Sequence, residues 1–213
     1  MSFWMNNIKK YFKQSPITIS LISICVIVYI ISFLRYGLEM DALEGLEFVG
    51  FNPLYIYLYN DYYRIVTSQF MHYGLMHLIV NTYSLFGIGM FIESVFSKKD
   101  FMIIIISALV STTGIPYLLF LINGFEAQVV SGGISGVVFG LIGSLGALAV
   151  IYKDVFMHVF KQLSSNLILM LIISFIVPSV SLSGHLSGLA GGFISTFIIV
   201  ILKKNKRKNN LVN

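Results

Sequence analysis

Two residues of this 213-residue chain could together carry out acyl transfer. Ser135 stands among glycines in the run Gly-Gly-Ile-Ser-Gly (residues 132–136) and opens an apolar helical stretch, and His185 opens a second glycine-rich apolar stretch. A serine hydroxyl becomes a nucleophile when an adjacent base accepts its proton, and imidazole is the usual base. The pair therefore predicts a nucleophile and a general base, provided that the fold brings Ser135 and His185 together.

Helix packing offers a plainer explanation of the same residues. Glycine and serine allow helix backbones to approach closely in a membrane, and a histidine at a helix end is commonly a hydrogen-bonding residue at the interface. Close packing of the two glycine faces would nevertheless also bring Ser135 towards His185 at matched depth. The nearest carboxylates on the same side fall in loops, so the sequence predicts a Ser-His dyad without an acidic third member.

The composition indicates what kind of protein carries these residues. Hydrophobic residues make up 57% of the chain and charged residues 11%, and the mean hydropathy is +0.87. These are too few polar groups to cover a soluble globule, and the apolar runs are of membrane-spanning length. Cys25 is the single cysteine, so no internal disulfide and no thiolate cluster for a metal can form. The sequence predicts a polytopic membrane protein with one domain, no metal and no other cofactor.

Apolar runs predict an all-α bundle of six transmembrane helices. The predicted spans, called helices 1 to 6, are residues 17–34, 73–96, 101–122, 134–152, 163–177 and 184–202. A basic lead (1–16) precedes this membrane domain (17–202), and a basic tail (203–213) follows it. The loop 35–72 is long and rich in aromatic residues, which prefer the headgroup layer, so we expect it to be ordered there.

The placement of lysine and arginine predicts the orientation. Of the 14 Lys and Arg residues, only Arg35 and Arg64 lie in the loop between helices 1 and 2, whereas the others flank the opposite ends of the helices. By the positive-inside rule, both termini are cytoplasmic. These lysines also produce most of the net charge of +5, and their role is attraction to the membrane surface. No nucleic-acid partner is therefore expected.

Even-numbered helices share an entry side in this topology. Each enters the membrane from the outer face, so the starts of helices 2, 4 and 6 lie in one leaflet. His77 and Asn81 open helix 2, Ser135 opens helix 4, and His185 opens helix 6. Ionisable side chains within a span need a partner or a water-filled cavity, so these polar residues could meet around one.

Three motifs resemble those of the rhomboid intramembrane serine proteases. Residues 133–136 are similar to the family's GxSG motif, residues 72–81 to its H-x4-H-x3-N pattern, and residues 184–192 to its last-helix histidine with a glycine face. The motifs occur in the family's order and on the helices that the topology requires. The resemblance covers about residues 61–192 and implies a six-helix bundle around a short central helix 4 that carries the serine.

The resemblance also implies roles for the polar residues. Ser135 resembles the nucleophile, and His185 resembles the general base that later protonates the leaving amine. His77 and Asn81 resemble the side chains that help the Ser135 backbone N–H to stabilise the oxyanion. They are four positions apart and therefore share one helical face.

Other positions resemble the family's supporting residues. His72 matches a histidine with a structural role, and the five-residue step to His77 turns it off the catalytic face. Phe139 stands where many bacterial members have a tyrosine that stacks on the catalytic histidine, so the ring is kept and the hydroxyl is lost. Gly133, Gly136 and Gly188 match the small residues around the serine and the histidine.

The sequence thus predicts an intramembrane serine protease of bacterial cell membranes that cuts transmembrane substrates near the outer leaflet. Hydrolysis needs water, so residues 129–133 are expected to dip towards a wet cavity that opens outward. Nearby hydroxyls could hold that water: those of Thr67, Ser68, Ser131, Ser181 and Ser183. The alternative is a non-proteolytic rhomboid-like protein that binds and escorts transmembrane helices; such proteins typically lack the serine or the histidine, and both are present here. A transporter is a third possibility, although the chain contains no internal repeat. Nothing in the sequence indicates the substrate or the oligomeric state.

Overall fold

The computed structural model of this protein describes residues 13–162 and 181–210. Within those residues the regular structure is helical, and strand pairing is limited to two isolated bridges. The helices are α1 (Pro16–Tyr36), α2 (Ala42–Phe48), α3 (Pro53–Tyr59), α4 (Arg64–Thr67), α5 (Leu75–Val95), α6 (Lys98–Asn123), α7 (Ser135–Ile151), α8 (residues 153–162) and α9 (Leu182–Asn210). The predicted all-α class is therefore confirmed for the described part of the chain.

Four of these helices are long and apolar enough to cross a membrane: α1, α5, α6 and α9. They correspond to predicted helices 1, 2, 3 and 6. Helix α7 corresponds to predicted helix 4 and has 17 residues, so it rises only about 26 Å at 1.5 Å per residue. Predicted helix 5 (163–177) lies outside the described residues.

Two helix boundaries differ from the sequence prediction by three residues or more. Helix α6 begins at Lys98, three residues before the predicted start, because the Ser97 hydroxyl accepts a hydrogen bond from the Asp100 backbone N–H (3.2 Å) and caps the helix. Helix α9 continues to Asn210, eight residues beyond the predicted end. Lys203, predicted to lie in a solvated tail, forms an ion pair with Asp100 and so belongs to the folded bundle.

Helix α7 lies at the centre of the bundle. Fourteen of its 17 residues are buried, on every side of the helix. A helix that is apolar all round can lie either in lipid or inside a bundle, and the small residues of α7 allow neighbouring helices to pack closely around it. The helices and loops that pack around the N-terminus of α7 hold its first residue, Ser135.

Glycines set the distance between α7 and α9. A Cβ atom added at Gly188 would clash with the carbonyl oxygen of Gly136, and one added at Gly192 would clash with the carbonyl oxygen of Gly140. The two backbones are thus in direct contact over more than one turn, which only glycine permits. This contact places the first turn of α9 beside the first turn of α7.

At the opposite end of the bundle, one carboxylate connects three helices. Glu93, which is 1% exposed, accepts hydrogen bonds from the backbone N–H groups of Ile17 (3.1 Å) and Thr18 (2.8 Å) and from the Thr18 hydroxyl (2.6 Å). It also forms an ion pair with Lys98 at 2.9 Å. A negative charge at the N-terminus of α1 satisfies its free N–H groups and favours the helix dipole. Glu93 therefore ties α1, α5 and α6 together.

The long loop after α1 is ordered, as the sequence predicted, and one arginine organises it. The Arg64 guanidinium is buried and donates hydrogen bonds to the carbonyl oxygens of Leu46 (2.7 Å) and Gly50 (3.0 Å) and to the Asp61 carboxylate (3.1 Å). It also lies over the Tyr55 ring, 4.7 Å from the centroid. These contacts fold α2, α3 and α4 into a compact cap.

That cap holds the chain that leads to Ser135. The backbones of Phe51 and Ser131 exchange two N–H to carbonyl hydrogen bonds, of 2.8 and 2.9 Å. The Gly133 N–H donates to the Ser68 carbonyl at 3.0 Å. Backbone hydrogen bonds thus fix the irregular segment before α7 at Ser131 and at Gly133, and pairing of this kind is what irregular backbone in a membrane protein needs.

Candidate active site

Ser135 and His185 lie within hydrogen-bonding distance. The Ser135 Oγ atom is 2.7 Å from Nε2 of His185. Ser135 is the first residue of α7, and His185 is the fourth residue of α9, so the glycine contact between these helices brings the two side chains together. The hydroxyl can donate to Nε2 when the imidazole carries its proton on Nδ1. This is the arrangement of a nucleophile and its base.

Phe139 fixes one face of the imidazole. Its ring stacks on that of His185, with the centroids 4.2 Å apart and the planes 18° from parallel. Phe139 lies one helical turn after Ser135 and is completely buried. The stacking that the resemblance implies is therefore present with phenylalanine, which lacks the tyrosine hydroxyl.

Gly133 shapes the turn before the serine. Its φ is +116°, a conformation that favours glycine. A Cβ atom added there would lie 3.0 Å from the His77 ring and 3.7 Å from Nδ2 of Asn81. The structure thus brings both predicted oxyanion residues beside the segment that presents Ser135.

His77 and Asn81 nevertheless differ in their access to the site. His77 lines the cavity in front of Ser135, whereas Asn81 is 3% exposed and lies behind it. The Asn81 amide donates to the His77 carbonyl at 3.0 Å, and the amide has a second hydrogen. Asn81 is therefore near the site but does not form its surface.

His72 lies beneath His77 and does not line the cavity. It is completely buried, with Nδ1 3.2 Å from the Phe70 carbonyl oxygen and its ring edge-on to that of His77 at a centroid distance of 5.1 Å. A carbonyl only accepts, so Nδ1 carries the proton. Burial, and to a smaller extent the adjacent His77, lower the pKa of His72 to about 3. His72 is neutral and supports the His77 ring.

A cavity of about 330 Å³ opens in front of the Ser135 and His185 pair. Its walls come from α5, α6, α7, α9 and the loops that precede α5 and α7. Side chains with a hydroxyl or an amide contribute much of the lining: Ser68, Gln69, Thr112, Thr113, Ser131, Ser135 and Ser181. The sequence indicated Ser68, Ser131 and Ser181 as residues that could hold water, together with Thr67 and Ser183. A polar cavity of this size has room for water and for part of a peptide.

Three cavity residues were missed by the sequence analysis. Gln69 donates through Nε2 to the Leu109 carbonyl at 2.6 Å and lies beside Thr113, and Thr112 packs against the glycines of α7 and α9. A single hydroxyl on an apolar helix carries no sequence signal, because threonine commonly bonds to its own helix. Only the packing of α6 against α7 and α9 shows that Thr112 and Thr113 face the cavity.

Comparison with known proteins gives two results. A family model described as the rhomboid domain matches residues 59–202, about two thirds of the chain and all of the site residues above. "Rhomboid protease GluP" of Bacillus subtilis (strain 168) is 28% identical over 97 residues. That alignment covers 46% of this chain and 18% of the relative, so the chain matches only a small part of the relative's length.

Proposed function

This chain belongs to the rhomboid family, and from that premise we propose that it is an intramembrane serine endopeptidase. It is an integral membrane protein that crosses the bilayer several times. The observation that carries the proposal is the 2.7 Å contact between Ser135 Oγ and His185 Nε2 at the wall of a polar cavity. A role in helix packing alone does not require the serine hydroxyl to lie at hydrogen-bonding distance from an imidazole nitrogen.

The chemistry runs through two acyl-transfer steps. His185 Nε2 takes the Ser135 proton while Oγ attacks the scissile carbonyl carbon, and the resulting imidazolium then protonates the departing amine. An acyl ester of Ser135 remains. His185 next removes a proton from water, the hydroxide attacks the ester, and the imidazolium returns the proton to Oγ. Phe139 keeps the imidazole plane constant through both steps by stacking on it.

The oxyanion of each tetrahedral intermediate is stabilised by donors around the serine. The Ser135 backbone N–H, at the N-terminus of α7, is the first of them. His77 lines the same cavity and supplies a second donor. Asn81 donates its second amide hydrogen to the oxyanion when substrate binding allows the Asn81 side chain to approach it.

The substrates are transmembrane proteins embedded in the same bilayer, cut near the outer leaflet. A peptide bond inside a helix is shielded by the helix's own hydrogen bonds, so segments with Gly, Ser or Pro unwind at least cost. The glycines beside Ser135 leave room for a small residue on the acyl side of the cut. No metal and no ATP is needed for these steps.

Six transmembrane helices with both termini in the cytoplasm complete the proposal, in a bacterial cell membrane. The orientation is supported by the sequence positions of lysine and arginine, because those outside the loop between helices 1 and 2 flank the helix ends opposite the one that Ser135 opens. Glu93 and its partner Lys98 mark that inner side.

Labelling with a fluorophosphonate tests the proposal directly. The wild-type protein and Ser131→Ala, which removes a different cavity hydroxyl, should both be labelled, while Ser135→Ala and His185→Ala should not. Gel fluorescence of the purified proteins measures the result. A wild-type protein that is folded, unlabelled and inactive on any transmembrane substrate would contradict the proposal and favour a rhomboid-like protein that only binds transmembrane helices.

A further inference from the structure

Glu126 has an uncommon backbone conformation in the loop between α6 and α7. Its φ is +55°, in the left-handed region that residues with a Cβ atom seldom adopt. Such a conformation persists only where surrounding contacts hold the residue in place. The contacts of Glu126 therefore indicate what the conformation is for.

The Glu126 carboxylate is bonded to the beginning of α9. Its Oε2 atom accepts hydrogen bonds from the hydroxyls of Ser183 (2.7 Å) and Ser181 (3.2 Å). Ser181 in turn caps the helix, because its own Oγ accepts from the Gly184 N–H at 3.0 Å and its carbonyl oxygen accepts from the His185 N–H at 3.1 Å. A hydrogen-bonded path thus runs from the Glu126 carboxylate to the backbone N–H of His185.

This path ends at the backbone of the helical turn that carries His185. In enzymes with a catalytic triad an acidic residue bonds the imidazole itself and fixes its orientation. We propose that Glu126 is a positioning residue for His185, acting on the backbone of the first turn of α9 through Ser181 and Ser183. The proposal rests on the proposed protease function, since it assigns His185 as the base.

The charge and the geometry both favour this role. A carboxylate at a helix N-terminus stabilises the free N–H groups of the first turn. The segment before Ser135 is already restrained, because Gly133 is bonded to Ser68 and Ser131 is bonded to Phe51. Glu126 connects the α6–α7 loop, which leads to Ser135, with the helix that carries His185. It therefore couples the positions of the nucleophile and the base.

The test compares four variants in detergent or proteoliposomes. Glu126→Ala should lower kcat roughly 10- to 100-fold, because small displacements of a catalytic group have effects of this order, with KM changed less than two-fold. Glu126→Gln should retain most of the activity, since both serines donate to one oxygen and an amide oxygen can accept both bonds. Ser183→Ala should lower kcat by less than Glu126→Ala. The double variant Glu126→Ala/Ser183→Ala should have the same kcat as Glu126→Ala alone, because both substitutions remove the same contact. The exposed Glu47 provides the control, and Glu47→Ala should match the wild type.

Hydrogen exchange of backbone amides separates this proposal from the protease proposal. In Glu126→Ala, deuterium uptake should rise in the peptide that contains residues 183–187 and stay unchanged in the peptide that contains residues 136–140. If the wild type neither cleaves nor is labelled, the protease function is wrong, and the exchange result still decides whether Glu126 restrains α9. Unchanged exchange, a kcat within two-fold of wild type for Glu126→Ala, or equal losses for Glu126→Ala and Glu126→Gln would each overturn the role of Glu126.

Discussion

The two ends of the helix bundle use polar residues in opposite ways. At the end marked by Glu93, polar side chains are charged and paired, in the ion pairs Glu93 with Lys98 and Asp100 with Lys203. At the end marked by Ser135, the side chains around the cavity are mostly uncharged. Among the described residues, the atoms Ser68 Oγ and Gln69 Oε1 are buried there without a hydrogen-bond partner.

The charged pairs at the Glu93 end contribute to the stability of the fold, whereas the uncharged groups at the Ser135 end are available for catalysis. The paired charges connect helices, since Glu93 with Lys98 joins α5 to α6 and Asp100 with Lys203 joins α6 to α9. Unpaired hydroxyl and amide groups in a cavity are costly to the fold unless they bind water or a substrate. Substitutions at the Glu93 end should therefore affect stability alone, whereas substitutions at the Ser135 end should affect catalysis, with or without a loss of stability.

The largest effect is expected for the dyad. Ser135→Ala and His185→Ala should each lower cleavage of a transmembrane substrate to background, a loss of about 10⁴-fold or more, because nucleophile and base act as a unit. The thermal unfolding temperature should change little. Ser94→Ala removes an exposed hydroxyl from the other end of the bundle and should cleave normally. Product formation on gels measures all three, and residual cleavage by Ser135→Ala would rule out Ser135 as the nucleophile.

The glycine contact between α7 and α9 should show the next largest effect. Gly188→Ala would place a methyl group against the Gly136 carbonyl and 2.6 Å from the Thr112 hydroxyl, so the helices must separate. We expect a loss of stability of about 1–3 kcal/mol and a loss of kcat of roughly 100-fold as Ser135 and His185 move apart. Thermal unfolding and turnover of the purified variant measure the two effects.

A matched glycine outside the contact provides the control for Gly188→Ala. Gly114 lies in α6, and the nearest atom to an added Cβ is 3.8 Å away, an ordinary contact. Gly114→Ala should therefore leave turnover unchanged and stability unchanged or slightly raised. Equal damage from both substitutions would show that the α7–α9 contact has no special role.

The sequence predicted the parts of the fold that depend on composition and spacing. Apolar runs predicted the four long spans, and the resemblance implied that the helix carrying Ser135 is central. The glycine positions predicted close packing that brings Ser135 towards His185, and these residues lie 2.7 Å apart. It did not predict Gln69 or Glu126, because their partners are distant in the chain and no local pattern specifies them. The sequence also did not predict that α9 extends to Asn210. A basic segment is typical of a solvated tail, and no local pattern indicates that Lys203 pairs with the distant Asp100.

Asn81 should show a smaller catalytic effect than Gly188. Loss of one oxyanion donor costs on the order of 10²- to 10³-fold in soluble serine proteases, but His77 and the Ser135 N–H share the work here. Asn81→Ala should therefore lower kcat by roughly 10-fold while KM stays within two-fold. Steady-state kinetics decide the question: a raised KM at unchanged kcat would place Asn81 in substrate recognition.

Glu93 should give the reverse pattern. Glu93→Ala leaves the N–H groups of Ile17 and Thr18 without their acceptor and Lys98 without its partner, so we expect a loss of stability of about 2–4 kcal/mol. The kcat of the molecules that remain folded, counted by active-site labelling, should equal that of the wild type. The exposed Glu47→Ala serves as control for both measurements. A lowered kcat per labelled site would show that the two ends are coupled.

The smallest effect concerns His72 and pH. The unfolded chain binds a proton at a histidine pKa of about 6.5, whereas burial lowers the pKa of His72 to about 3 in the folded protein. Between these values the unfolded state binds more protons, so the contribution of His72 to stability is complete above pH 6.5 and declines as the pH falls towards 3. Lowering the pH from 7 to 5 should therefore cost the wild type about 2 kcal/mol through this residue. His72→Gln, which removes the titrating group and keeps a donor for the Phe70 carbonyl, should lose that much less over the same range. Thermal unfolding at the two pH values measures the difference, and parallel curves for the two proteins would show that His72 is not the neutral, buried support of His77.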